Sequence, residues 1–491
     1  MPRRREAIAA LEAQAAVWVG QLLAGEPYDP APGMEAQRVL TWLETRLLPD
    51  LRQTPQELTQ LLRGLGGHYV PSGPAGAPSR GRPEVLPTGR NFYGVDVRAI
   101  PTETAWDVGQ RAAQAVIDRY TQDQGEYPRT LALSVWGTAT LRTGGDDFAE
   151  ALALLGVRPV WAGPSRRVVD FEILPLSYLG RPRVDVTLRV SGFFRDSFPH
   201  LLDFFSQAVR AVAQLAESPA DNPLAAQVAQ DTQAFLDQGL PPEPAYLRVF
   251  GPKPGSYGAG LQGLIAAQSW ETPQDLATAF LNWSGYGYTG AAWGEPARDV
   301  LCQRLQNTEI VLHNQDNREH DILDSDDYYQ FQGGLTVAIR TLTGENPIIY
   351  HGDHSRPPYL KIRTLKEEIQ RVYRSRVVNP KWIQAMMRHG YKGAFELAAT
   401  VDYFFAYDAT AQTGADYMYQ GMAQAYLFNP QVRAFLTRSN PWALRGMAER
   451  FWEAHQRGQW RAVDPELLAK LRRIIHETEA LIEQRGQTAQ S

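Results

Sequence analysis

Residues 131–161 constrain the fold more than any other stretch. LALSVW (131–136) is a continuous apolar run, GTATLRTGG turns the chain on glycines, FAEALALL carries apolar residues at helical spacing, and GVRPVW begins another strand. Strand, glycine-bearing turn, amphipathic helix and strand make a βαβ unit, which requires a parallel sheet covered by helices. Further apolar runs at 184–190, 247–250, 310–312 and 348–350 read as additional strands. Helical spacing covers 1–63, 105–120 and 198–238, and resumes at Thr364 to run to the end, interrupted at Pro380, Pro430 and Pro441. The predicted class is α/β, with Rossmann- or flavodoxin-like parallel-sheet units followed by a mainly α-helical carboxy-terminal region. A chain of 491 residues exceeds one compact core. The expected division is a helical lead-in with a Gly/Pro-rich loop (1–90), an α/β domain (91–245), a second α/β region carrying the candidate site (246–360) and a helical region (361–491).

Composition removes several function classes. Against 54 acidic residues stand 49 Lys and Arg, a formal charge of -5, with no basic stripe to follow a nucleic-acid backbone. The single cysteine, Cys302, excludes an internal disulfide framework and a multi-cysteine zinc site, and reads as a small buried hydrophobe. The amino terminus imitates a signal peptide, but Glu6 and Glu12 interrupt its apolar part, and no run reaches the roughly 18 apolar residues of a membrane span. A soluble cytoplasmic protein is expected. Neither G-x-G-x-x-G nor G-x-x-x-x-G-K-[ST] occurs, so neither a dinucleotide site nor an ATP-hydrolysing loop is predicted.

The chemistry concentrates in HNQDNREHDILDSDDYYQFQ, residues 313–332. Asp316, Glu319, Asp321, Asp324, Asp326 and Asp327 face one local cation, Arg318, beside two histidines able to offer neutral nitrogen. Mixed oxygen and nitrogen donors suit a divalent metal, and the end of a parallel strand is where open α/β sheets bind ligands. A helix following the loop would align Asp316, His320, Asp324 and Asp327 on one face. A solvated acidic surface is the competing reading. His351, Asp353 and His354, after the strand at 348–350, form a second ligand group or a polar surface loop. The Gly255–Gly258 backbone suggests an anion nest, and the helix after Gly144 and Gly145 offers an amino terminus to an anion. Arg195 and Asp196 are a structural pair or substrate contacts. In the Gly/Pro-rich loop, Arg80, Arg82 and Arg90 suit carboxylates, and His68 with Tyr69 suit a pocket wall, unless the segment is a plain linker.

The motifs LPTGRNFYGVD (86–96), VWGTATLRTGG, LGVRP, RVDVTLRVSGFFRD, GSYGAG, NQDNREHDILDSDDYYQFQGG, NPKWI and GYKGAFEL stand in the order seen in the large subunit of aerobic cobaltochelatase. The chain resembles that CobN/magnesium chelatase H-subunit family, specifically its carboxy-terminal portion, over nearly its whole length. The magnesium branch is similar at TGRN, WGT, GVRP and the SG-FRD motif, but not at EHD-DSDDYYQF or HGDHSRP, which favours the cobalt branch. The HGTHG-LEWLPGK-type motif of full-length members is missing here, so the resemblance implies a fragment or a subunit working beside a separate amino-terminal half.

The resemblance implies insertion of Co²⁺, the substrate metal, into a corrinoid precursor, hydrogenobyrinic acid a,c-diamide, in cobalamin biosynthesis. ATP and Mg²⁺ would be bound by separate AAA+ ATPase subunits, in keeping with the missing phosphate loop, and the chain would be inactive without its partners. Resemblance and chemistry together nominate Asp316, Glu319 and His320 for the metal, and Glu319, His320 and Asp324 for accepting pyrrole protons. Arg90, Asn91, Arg195, Ser256 and Tyr257 are nominated to hold the tetrapyrrole. The alternatives are a non-catalytic tetrapyrrole- or metal-binding module and a magnesium or nickel chelatase subunit.

Overall fold

The computed structural model describes residues 2–74, 78, 83–93, 96–163, 165–290 and 292–488. They form two compact units, one of residues 1–96 with 141–144 and one of 97–140 with 145–491. The first carries helices Pro2–Ala24, Met34–Trp42 and Gln56–Leu65, then a short parallel pair, β1 (Ser72–Pro74) and β2 (Asn91–Tyr93). Arg80 and Arg82 lie outside the described residues.

The second unit is built on one sheet. Its strands are β3 (Thr130–Val135), β6 (Asp185–Val190), β7 (Val249–Gly251), β8 (Tyr286–Tyr288), β9 (Trp293–Pro296), β10 (Ile310–Gln315), β11 (Ile348–Asp353) and β12 (Lys361–Thr364). They stand in the order β12-β11-β10-β3-β6-β7-β8-β9. The five central strands run parallel, and β12, β8 and β9 close the edges antiparallel. Every residue of β6 and β10 is buried, as covered parallel strands require. Strands from 91–245 and from 246–360 therefore share this sheet.

The expected βαβ unit forms, but with a different second strand. Val157–Trp161 (β4) pairs antiparallel with Val168–Ile173 (β5) in a separate two-stranded ribbon, and the parallel partner of β3 is β6. Trp161 and Val160 interrupt the ribbon with a shift of register, and its outer positions are partly exposed, unlike a covered central strand.

Helical connections lead from β3 to β6 on one side of the strand order and from β10 to β11 on the other. Asp146–Leu155 connects towards β6 and packs on Glu103–Gln124. There Gly109 is needed: a Cβ would stand 2.5 Å from the Glu150 backbone nitrogen. The connection from β10 to β11 is helical from Asp326, in segments Asp326–Tyr328, Tyr329–Gly333 and Gly334–Thr343, the middle one wound as a π-turn. Pro380, Pro430 and Pro441 each start a helix, directly after an asparagine whose side chain caps it. These carboxy-terminal helices share one hydrophobic core with the sheet, running from Val311, Leu323 and Leu335 to Phe404, Tyr426 and Phe451.

Candidate functional site at the sheet's switch point

The chain winds outward from β3 to β6 and β7, then returns to the other side of β3 as β10 and continues to β11. Parallel sheets bind ligands at the carboxyl ends of strands where the winding reverses, here between β3 and β10. Trp136 follows β3, His313, Asn314 and Gln315 end β10, and His351 to His354 end β11. All of these except Trp136 and Gly352 are buried polar side chains.

His313 lies 4.4 Å from the Trp136 ring, 5.2 Å from that of Tyr328 and 6.3 Å from that of His351, centre to centre. Neither of its ring nitrogens has a hydrogen-bond partner among the described residues. Burial, reinforced by His351, drives its pKa well below the imidazole range. His351 contacts Gln315 Oε1 through Nε2 at 3.4 Å, and burial lowers its pKa to about 4. Both rings are neutral at pH 7 and keep basic nitrogen inside the crevice.

A second group faces them from helix Asp146–Leu155. The Asn314 amide donates to Asp147 Oδ1 at 3.0 Å and to Glu150 Oε2 at 2.5 Å. Burial and the neighbouring Asp147 raise the Glu150 carboxyl well above its usual range. Among the described residues, Asp147, Glu150 and His354 are the group of histidine and carboxylate side chains whose ligand atoms all approach within 4.8 Å. His354 belongs to the second ligand group read from the sequence. Its companion Asp353 is engaged elsewhere, by the Ser355 hydroxyl at 2.7 Å, Arg363 at 3.3 Å and Arg318. Burial opposes ionisation of Asp353, and these three partners outweigh it, so its carboxyl lies below the usual range. Sequence reasoning missed Asp147 and Glu150, although two acids three residues apart on a helix that is apolar beyond Glu150, DDFAEALALL, are a visible signal.

The helix that would have aligned Asp316, His320, Asp324 and Asp327 does not follow the loop directly: residues 316–325 are irregular and the helix starts at Asp326. Asn317 Oδ1 accepts from the Glu319 amide, Asp321 Oδ1 from Leu323 and Asp324 Oδ2 from Asp321, so side chains satisfy the backbone in turns. Arg376 fastens the loop through Asp321 at 2.6 and 2.9 Å, and sits 3.1 Å from Asp324. Asp316, His320, Asp324 and Asp327 thus share no helix face. Glu319 and His320 are exposed on the loop, and Asp316, half-buried, accepts from Asn317 Nδ2 at 3.1 Å.

Arg195 is fully enclosed. It grips Asp196 at 2.6 and 2.8 Å and donates to the carbonyls of Pro252, Lys253 and Ser256 at 3.0, 2.8 and 3.2 Å. Arg189, also buried, donates to the Gly258 carbonyl at 2.9 Å and lies 4.4 Å from the Phe331 ring centre. Burial lowers its pKa to about 9. The 252–258 loop therefore turns several carbonyls towards two arginines, and the Ser256 amide donates to the Lys253 carbonyl at 2.9 Å. Tyr257 is 60% exposed and donates to Asp196 Oδ2 at 2.9 Å. The helix after Gly145 begins with two buried acids, Asp146 and Asp147. In the other unit, Arg90 and Asn91 line a cleft of about 650 Å³ together with His68 and Tyr69.

The family model for CobN/magnesium chelatase matches residues 2–467. The aerobic cobaltochelatase subunit CobN of Pseudomonas aeruginosa is 56% identical over 92% of this chain and 36% of its own length. The magnesium-chelatase H-subunit of Cereibacter sphaeroides is 33% identical over 87% of this chain and 35% of its own length. The solved catalytic subunit of cobaltochelatase from Mycobacterium tuberculosis superposes with a TM-score of 0.83 at 48% identity, covering 98% of this chain and 40% of that one. The chain thus spans about a third of the length of the curated relatives it matches. An α/β sheet with its polar crevice at the switch point, and a family match over nearly every residue, place this chain in the CobN/magnesium chelatase family.

Proposed function

We propose that this chain is the carboxy-terminal part of a cobaltochelatase large subunit, a chelatase that inserts Co²⁺ into hydrogenobyrinic acid a,c-diamide. The observation that carries the reading is the 56% identity to a cobaltochelatase subunit, against 33% to a magnesium-chelatase subunit. The reaction exchanges the corrin ring's N–H proton for the divalent cation and leaves a cationic metal-ring core, so it needs a base beside a dehydrated metal. Neutral His313 and His351 offer such bases within the crevice, and the carboxylates supply metal-binding oxygen. In this reading the exposed Glu319 and His320, with Asp316, take the cation from solvent, and Glu319, His320 and Asp324 accept protons. Ser256 and Tyr257 meet the tetrapyrrole on a loop that Arg195 holds in place, and the cleft lined by Arg90 and Asn91 suits a carboxylate.

In this reading ATP is hydrolysed, with Mg²⁺, on separate AAA+ subunits in the cytoplasm, and the family's upstream residues, on the same or on another polypeptide, complete the enzyme. Among the described residues no helix is long and apolar enough to cross a membrane. Because the chain spans about a third of its relatives, a second reading is a tetrapyrrole- or metal-binding module without catalysis. Titrating hydrogenobyrinic acid a,c-diamide into the chain and following tryptophan quenching tests the proposal. Saturable binding, weakened by Tyr257→Ala, is expected. No binding, with or without the upstream half, contradicts the chelatase reading and leaves only a metal-binding module.

A further inference from the structure

We propose that Asp147, Glu150 and His354 bind a divalent first-row transition-metal cation inside the crevice between β3 and β10. Asp147 and Glu150 stand one turn apart on helix Asp146–Leu155, which Gly109 allows to lie directly against helix Glu103–Gln124. His354 comes from the opposite side, immediately after β11, and its backbone amide is fixed to the Gln315 carbonyl at 2.8 Å. All three side chains are buried, and their ligand atoms lie within 4.8 Å of one another. Small movements bring such a set onto ions whose bonds to carboxylate and imidazole are about 2.0–2.2 Å long.

Asn314 is the independent observation. It is only 6% exposed, and its amide nitrogen bridges both carboxylates. Its carbonyl oxygen, like Glu150 Oε1, has no hydrogen-bond partner among the described residues. A half-turn of this amide directs the oxygen at the carboxylates, where a bound cation reconciles the three groups as a proton on Glu150 would without one. Gly352 preserves the space: a Cβ there would stand 2.1 Å from Asn314 Oδ1 and 3.1 Å from His354 Nε2. Two carboxylates with one imidazole favour manganese, iron, cobalt, nickel or zinc over magnesium or calcium, which take all-oxygen sets. The assignment concerns this chain alone and does not depend on the chelatase reading.

The test is titration of the chelator-treated 491-residue chain with Co²⁺, followed by calorimetry and by visible absorption. One tight equivalent is expected. Loss of a partner outside the metal's own ligands already weakens metal sites about 10–100-fold, so Glu150→Gln and His354→Gln should each weaken binding at least tenfold. Asp107→Asn, on the exposed side of the neighbouring helix, should leave it unchanged. Melting in chelator checks that each variant is folded. X-ray absorption of the Co²⁺-loaded wild type supplies a reading that needs no variant: one imidazole among oxygen ligands is expected. Absence of tight binding, unchanged affinity in both folded variants, or a coordination sphere with no imidazole or with two would overturn the assignment. Failure of tetrapyrrole binding would leave this result standing.

Discussion

Arg195→Met separates a scaffold from a substrate contact. Methionine retains much of the apolar stem and removes the guanidinium from a residue that is 0% exposed. Three carbonyls, those of Pro252, Lys253 and Ser256, lose a charged donor at 2.8–3.2 Å. Each such bond contributes about 1.5–3 kcal/mol when it stays buried. The loop reaches solvent at Tyr257, so water recovers part of that sum, and Asp196, whose side chain is 40% exposed, rehydrates at little cost. The expected loss is about 3–5 kcal/mol, the sum over the three charge-assisted bonds less what water returns. Urea unfolding followed by tryptophan fluorescence measures it, and hydrogen exchange should show faster exchange across 252–258. A loss below about 1 kcal/mol with unchanged exchange would refute the reasoning, and would return Arg195 to direct substrate binding.

Other perturbations address the rest of the site. Arg376→Met frees both Asp321 and Asp324, so the 316–325 loop should become protease-sensitive and chelation should slow, whereas unchanged proteolysis contradicts its anchoring role. His351 binds a proton at ordinary pH 6.5 when unfolded but only near pH 4 when folded, so the unfolded chain carries more protons in between. Its share of stability is therefore full above about pH 6.5 and is lost as pH falls towards 4, about 1 kcal/mol being gone near pH 5.5. Urea midpoints at these pH values should fall less in His351→Gln, and an identical slope contradicts the assignment. Gly109→Ala should destabilise the unit by about 1–3 kcal/mol, because its Cβ would meet the Glu150 backbone at 2.5 Å; a smaller change means the helices part easily. The isolated chain should show no ATP turnover above background, since no phosphate loop is present.

The central strands were legible because they are continuous apolar runs, and the later helices because asparagine and proline mark their starts. The edge strands β8, β9 and β12 were not, being short and partly polar, with pairing set by partners distant in sequence. GVRPVW looked like a sheet strand because apolar runs do not encode which partner they choose. The acid run at 316–327 was readable as composition but not as shape: helix periodicity lost to short side-chain turns and to Arg376, more than 50 residues away. His354 was visible as a donor, but its companions Asp147 and Glu150 come from a helix about 200 residues earlier, and only the sheet's winding brings them together.

The most direct measurement of the central claim is metal insertion in a reconstituted mixture of this chain, AAA+ partner subunits, ATP, Co²⁺ and hydrogenobyrinic acid a,c-diamide, with and without a separately expressed upstream half. The account predicts a cobalt-corrinoid absorption spectrum when the upstream half and ATP are both present, and none when either is omitted. Insertion by this chain and the ATPases alone would contradict the need for the upstream residues. Absence of insertion in the complete mixture, with every component folded and the ATPases turning over, would contradict the chelatase reading itself.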